Sequence, residues 1–303
     1  MLQVVLTGLS NGAIYGIVAM AYALVYYVTR VINFANGQIM MAAVMVTAVL
    51  TIHGVPTAWA VMAGIATSAG LSLMVYLIGI GPVLRFSRFS FAWLVSTLGL
   101  GIIIESLAAV IWGVGSLPFP ALLNYKDVTL FGARMPWQGV LSVGVGLALI
   151  AGFELLRRKT LFGKMGTAIS TDPEIAAAVG GNVMFFTVLV FILAGILLGV
   201  AGVLVGPSSF ADAYLGETFG ISGFVALMIG GIESPSGAML GGFILGILQS
   251  FAVTYINPQA DSWFPFVIVL IGLLMLPNGI FKSKSALREL VRRLNPRTAD
   301  ADS

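Results

Sequence analysis

The chain has 303 residues, 59% hydrophobic and only 9% charged, with 15 Lys and Arg against 12 Asp and Glu. Soluble domains carry roughly 25% charged residues, so this composition, with a mean hydropathy of +1.04, places the chain in a bilayer. With no cysteine and one histidine, disulfides, thiolate chemistry and a multi-histidine metal site are excluded, and no convergent nucleophile and base argues for an enzyme.

Long apolar runs such as Leu2–Val28, Pro56–Leu84 and Phe91–Trp112 reach the roughly 20 residues needed to cross a membrane. Alternating segments of about ten residues, the mark of a membrane β-barrel, are missing outside one loop. The fold expected is all-α and polytopic, about eight to ten transmembrane helices with some broken or short. Spans are read at 3–28, 35–53, 56–84, 90–112, 137–156, 183–206, 219–232, 237–256 and 261–277. They form a transmembrane domain over 1–281, with an external loop at 113–135, a cytoplasmic loop at 157–182 and a basic tail at 282–303. No cleavable signal is expected, because no basic residue precedes Arg30.

The first interruption is "VINFANGQIM", Val31–Met40, directly after Arg30. Asn33, Asn36 and Gln38 have no acid–base chemistry, but amides beside a glycine can satisfy or unwind backbone that would be costly in lipid. The stretch is either a gate at the inner mouth or a plain connecting turn. His53, beside Gly54, reads as an interfacial residue. Further on, Glu105 sits mid-span, preceded by Ser96 and Thr97. A carboxylate in the membrane costs at least about 2.5 kcal/mol unless paired, protonated or wet, so it is a pathway candidate or a neutral acid bonding a neighbouring helix. In the external loop, "VTLFGAR" predicts a hairpin turning at Gly132.

Between Arg157 and Phe186 the run "STDPEIAAAVGGN" carries helix punctuation. Asp172 supplies a cap, Pro173 fits the first turn, Glu174 complements the positive end of the helix dipole, and Gly180 ends the helix. Its outer face is alanine, at Ala176, Ala177 and Ala178, where a solvated helix would carry charge. That face either docks into another protein's groove or folds back onto the chain's own spans. Beyond it, Gly195, Gly199, Gly202 and Gly206 recur at helical spacing and predict close helix packing, as do Gly237, Gly241, Gly242 and Gly246. Glu233 lies in a second polar break, "GGIESPSGAM". The methionines read as packing residues rather than a cofactor site.

Alternating the spans places thirteen of the fifteen cations on one side, Lys126 and Arg134 alone falling opposite. The positive-inside rule then predicts an external N-terminus and a cytoplasmic C-terminus, with the tail helix of Leu287, Leu290, Val291 and Leu294 lying along the inner surface. The cations thus follow membrane topology, and no nucleic-acid partner is expected.

"GLSNGAIYGIVAMAYALVYYVTRVINFANGQ", "STLGLGIIIESLAAVIWG", "DPEIAAAVGGN", "LAGILLGVAGVLVGP", "GGIESPSGAMLGGFILGILQS" and "LLMLPNGIFKSK" together resemble branched-chain amino acid ABC transporter permeases of the LivH type, in order and spacing over nearly the whole chain. The resemblance implies a bacterial or archaeal plasma-membrane importer with a LivM-type sister permease, two ATPase subunits and a substrate-binding protein. It also implies that the loop from Thr171 to Gly181 contacts the ATPase, which favours docking of the alanine face. No G-x-x-x-x-G-K-[ST] occurs in the sequence, so ATP is expected on partner subunits and no cofactor on this chain. The alternative is a secondary transporter whose two polar breaks coordinate substrate and ion, with Glu105 carrying a proton.

Overall fold

The computed structural model describes residues 1–86, 91–120, 127–130, 133–178 and 180–275. Arg88, Lys126, the hairpin turn at Gly132, Val179 and the basic tail with its expected surface helix lie outside them.

Within the described residues the fold is helical, with one short hairpin. The helices are α1 (Leu2–Thr29), α2 (Asn36–Ile52), α3 (Thr57–Met74), which passes through a π-helical turn (Val75–Ile80) into α4 (Gly81–Phe86), and α5 (Ala92–Trp112). They continue with α6 (Trp137–Lys159), α7 (Leu161–Thr171), α8 (Pro173–Ala178), α9 (Val183–Ser209), α10 (Leu215–Gly230), α11 (Pro235–Tyr255) and α12 (Ala260–Met275). Six helices or continuous runs of helix are long and apolar enough to cross a membrane, and α2 and α10 are shorter apolar helices. Each of the nine sequence-read spans corresponds to one of these elements or runs, with ends shifted by a few residues. The loop between α5 and α6 holds β1 (Asp127–Leu130) paired antiparallel with β2 (Ala133–Pro136), Leu130 opposite Ala133 as a two-residue connection requires.

α1 is the central post. It packs antiparallel against α11, because Gly8, Gly12 and Gly16 face Gly246, Gly242 and Met239 so closely that a Cβ on any of these glycines would strike the partner backbone. Such close backbone approach is how helices gain dispersion energy where lipid offers no hydrophobic contrast. α9 lies on the other side, and its four glycines serve three partners rather than one. Gly195 and Gly199 meet α3, Gly202 meets Met40 and Val44 of α2, and Gly206 meets the Phe119 ring. Ser68 and Ser72 of α3 seal the first contact by donating to the carbonyls of Gly195 and Phe191 at 2.8 and 2.7 Å. α3, α5 and α6 stand at the periphery with apolar side chains outward, including Ile102, Val110 and Leu147.

The two ends of the bundle are distinct. At one, Arg30, the Arg157–Lys159 run and Lys164 gather with the Glu233 turn; at the other, Leu117 pairs with Ala211, Gln3 bonds Arg134, and Tyr255 reaches Met1. Among the described side chains this is the basic end and its opposite, and it reproduces the alternation of spans read from the sequence.

Candidate functional site

The stretch after Arg30 is where the sequence reading and the structure part. The sequence places it at the inner mouth, whereas the structure turns it back into the bundle. Arg30 closes α1 in a left-handed conformation (φ 58°), and residues 31–35 run back between the helices. At up to about 3.3 Å per residue, five residues reach about 16 Å, or half of a hydrocarbon core about 30 Å thick. Neighbours confirm that depth. Gly101, at the middle of α5, touches Ala35 and Gln38, and Gly37 is wedged against the Gly216 carbonyl and Gly220 of α10. This re-entry is why α2 is short, since it starts midway through the bundle.

A non-helical turn at that depth must satisfy its own polar groups. Asn33 Oδ1 accepts from Ala35 N at 3.1 Å, and Asn33 Nδ2 donates to Asn36 Oδ1 at 2.7 Å, both side chains being fully buried. Asn36 Nδ2 is buried with no hydrogen-bond partner among the described residues. Such a stranded donor costs about 1–3 kcal/mol. Phe34 fills the basic side of the turn, stacked on Trp93 of α5 and tilted against Phe224 of α10.

The other sequence-predicted candidates do not converge on one site. Gln38 Nε2 donates to Glu105 Oε2 at 3.3 Å, so the mid-span carboxylate has an amide partner from α2. Ser96 Oγ donates to the Gly79 carbonyl of the π-helical turn at 3.0 Å, and Thr97 Oγ1 to Leu94 O at 3.2 Å, so both hydroxyls are committed to backbone. Glu233 is at the basic end, in the turn between α10 and α11.

There the structure adds a link that sequence reading missed. Arg30 Nη1 donates to Glu233 Oε1 at 2.9 Å, and its Nη2 to the Ser170 carbonyl at 2.6 Å. One guanidinium therefore ties the end of α1, the α10–α11 turn and the last turn of α7. Arg30 counts in the sequence only towards topology, because nothing in a linear chain marks a partner 203 residues away.

α7 itself went unread. Thr160 caps it by accepting from Gly163 N at 3.1 Å, and Phe162, Met165, Gly166 and Ile169 face the bundle at helical spacing, a periodicity legible in retrospect. α8 then follows as the punctuation predicts. Asp172 Oδ1 accepts from Glu174 N and Ile175 N at 2.9 and 3.1 Å, and Gly180, at φ 91°, ends it with Gly181 N bonded to Ala176 O. The alanines divide: Ala176 is buried, while Ala177 and Ala178 are exposed beside Ile175, which is 64% exposed. Ala176 thus folds back onto the chain's own helices, while the opposite face of α8 is left open.

Two cavities flank α1. At the basic end an apolar one of about 290 Å³ lies between α1, α6, α7 and α9, walled by Leu24, Leu149, Phe153, Phe186 and Leu197, with Arg157 at its edge. At the opposite end a cleft of about 480 Å³ lies between α1 and α11. Among the described residues no group of three or more His, Cys, Asp or Glu is placed to hold a metal.

Residues 4–276 match the family described as the branched-chain amino acid transport system permease component. The chain belongs to that permease family. Relatives of the permease include the high-affinity branched-chain amino acid transport system permease protein LivH of Escherichia coli K12, 29% identical over 92% of this chain and 94% of that one. BraD of Pseudomonas aeruginosa is 26% identical over 92% and 95%, and a LivH protein of Methanocaldococcus jannaschii 28% identical over 87% of each. Among solved structures, PsaBC from Streptococcus pneumoniae in complex with Fab aligns with a TM-score of 0.49 at 16% identity, covering 89% of the permease and 91% of that chain. Membership of an ABC permease family sets aside the ion-gradient alternative and makes the permease a multi-pass transport subunit that works with ATPase and binding-protein partners.

Proposed function

We propose that the permease imports branched-chain or other aliphatic amino acids delivered by a binding protein, driven by ATP bound on two partner ATPase subunits. A LivM-type sister permease completes the membrane part. The basic end, and with it the C-terminus, faces the cytoplasm, in keeping with the positive-inside rule.

The observation that carries this reading is the capped, outward-facing helix α8 joined through α7 to the Arg30 clamp. Ile175, Ala177 and Ala178 offer a small apolar surface for an ATPase groove, the helix-in-groove mode of recognition. ATPase closure displaces α8 and α7 together. Because Arg30 holds the Ser170 carbonyl and Glu233 at once, that displacement reaches the end of α1, the re-entrant turn and the α10–α11 turn as a rocking of packed helices. The Asn33–Gly37 turn, with one stranded amide donor, is the element proposed to rearrange. Gln38 and Glu105 sit beside it as the polar pair of the path.

Ala177→Arg tests the docking. In the reconstituted importer this variant is expected to fold, since Ala177 is exposed, and to lose leucine uptake together with stimulation of the ATPase. Retention of both activities would overturn the assignment.

A further inference from the structure

The cleft between α1 and α11 has a lining that packing does not account for. Gln3, Thr7 and Asn11 follow one another at steps of four along α1, and Gln249, Ser250 and Thr254 answer from α11. None of its lining residues is charged. Three of these polar groups are spent inside the protein: Ser250 Oγ donates to Val4 O at 2.9 Å, Thr254 Oγ1 to Ser250 O at 2.8 Å, and Gln3 exchanges hydrogen bonds with the Arg134 backbone. Thr7 and Asn11 are exposed, and their side chains make no hydrogen bond among the described residues.

Depth makes this informative. Asn11 lies nine residues into α1, about 13 Å from its start at 1.5 Å per residue, which is within the hydrocarbon zone of a helix long enough to overhang it. An amide facing lipid there would be left unsatisfied, so the face has to be wet. One step further along the same stripe, Tyr15 is buried and packs against Phe219 with ring centroids 5.7 Å apart, so the exposed polar stripe ends at Asn11. A volume of about 480 Å³ falls within the range of small-molecule sites, about 300–1,000 Å³.

We infer that this cleft is a water-filled receiving site, open at the non-basic end, for a small solute that is dipolar but carries no net charge. Free amide and hydroxyl groups can bond both ends of a zwitterion, while the absence of a countercharge disfavours any solute with net charge. The inference rests on the transport reading above and names the part of the permease that first meets the solute.

The chain contains no cysteine, so single thiols report cleanly. In the assembled importer in vesicles, Asn11→Cys is expected to react with a membrane-impermeant methanethiosulfonate added on the non-basic side, while Leu147→Cys, on the apolar face of α6, does not. Free leucine at about ten times its dissociation constant, without binding protein, should slow the Asn11→Cys reaction about tenfold by occupancy, and glutamate or lysine should not. Asn11→Leu should lower leucine uptake, and Asn11→Gln should restore it. An unreactive Asn11→Cys, a rate that leucine does not change, or equal protection by glutamate would overturn the site. Wild-type uptake separates the two readings: leucine uptake with an unreactive Asn11→Cys sinks only the cleft, whereas failure of ATP-driven leucine uptake sinks the transport reading whatever the thiol reports.

Discussion

The two polar breaks look alike in the sequence and fold in opposite ways. Residues 31–37 carry their asparagines into the middle of the bundle, where polar groups depend on protein partners, and Asn33 answers by bonding both Ala35 N and Asn36, with Asn36 Nδ2 left unpaired among the described residues. Residues 231–234 stay at the basic end as a turn, with Gly231 at φ 97°, Ser234 capping α11 through Gly237 N, and Glu233 half exposed. Water can serve the second break but not the first. The difference teaches that a polar interruption in a membrane chain is constrained by the depth it reaches, not by its composition. Arg30 joins the two, ending α1 directly before the buried turn and bonding Glu233 of the surface one.

The largest effect is expected from Gly37→Leu. A Cβ there collides with the Gly216 carbonyl, and backbone cannot move aside as a side chain can. Overpacking usually costs about 1–3 kcal/mol, and a backbone clash at the top of that range should prevent recovery of folded permease by size-exclusion chromatography. A monodisperse, thermally stable Gly37→Leu protein would show that the turn is not wedged where the structure puts it.

Asn33→Leu comes next. It strands the Ala35 N–H and the Asn36 amide in the interior, at about 1–3 kcal/mol for each. A lowered unfolding temperature in detergent is the expected result, and an unchanged one would mean that water reaches the turn. The same substitution logic applied to the surface break predicts little: Glu233→Ala removes one half-exposed ion pair, worth about 0–1 kcal/mol.

The smallest stability change with a functional consequence is expected from Arg30→Ala. Stability should again move by no more than about 1 kcal/mol, since the guanidinium is itself about half exposed. Leucine uptake should nevertheless fall further than in Glu233→Ala, because only Arg30→Ala also releases the Ser170 carbonyl. Equal uptake in the two variants would remove the link from α7 and leave the ion pair as the whole contact.

Much of the fold was legible because hydrophobic length and positive charge act locally. A run of about 20 apolar residues has to span the core whatever surrounds it, and each cation is confined to an end. The Asp172 cap, the Gly180 stop and the hairpin strands were legible for the same reason, being decided by residues two to four positions apart. Candidate site residues were less readable. Ser96 and Thr97 looked available and are bound to backbone; Thr7 and Asn11 drew no attention within a strongly apolar helix, although their spacing of four with Gln3 was present in the sequence.

The sequence by itself therefore determined the class of protein, its spans, its end-to-end charge asymmetry and the short helix capped by Asp172, because each depends on the chain's neighbours in sequence or on the bilayer as solvent. Only the tertiary structure decided that "VINFANGQIM" turns back to mid-bundle, that Glu105 meets Gln38, and that Arg30 meets both Glu233 and Ser170. Those facts depend on which glycines allow which helices to approach, a choice made between residues far apart in the chain. Depth in the membrane is a property of packing, and packing is what a linear pattern does not contain.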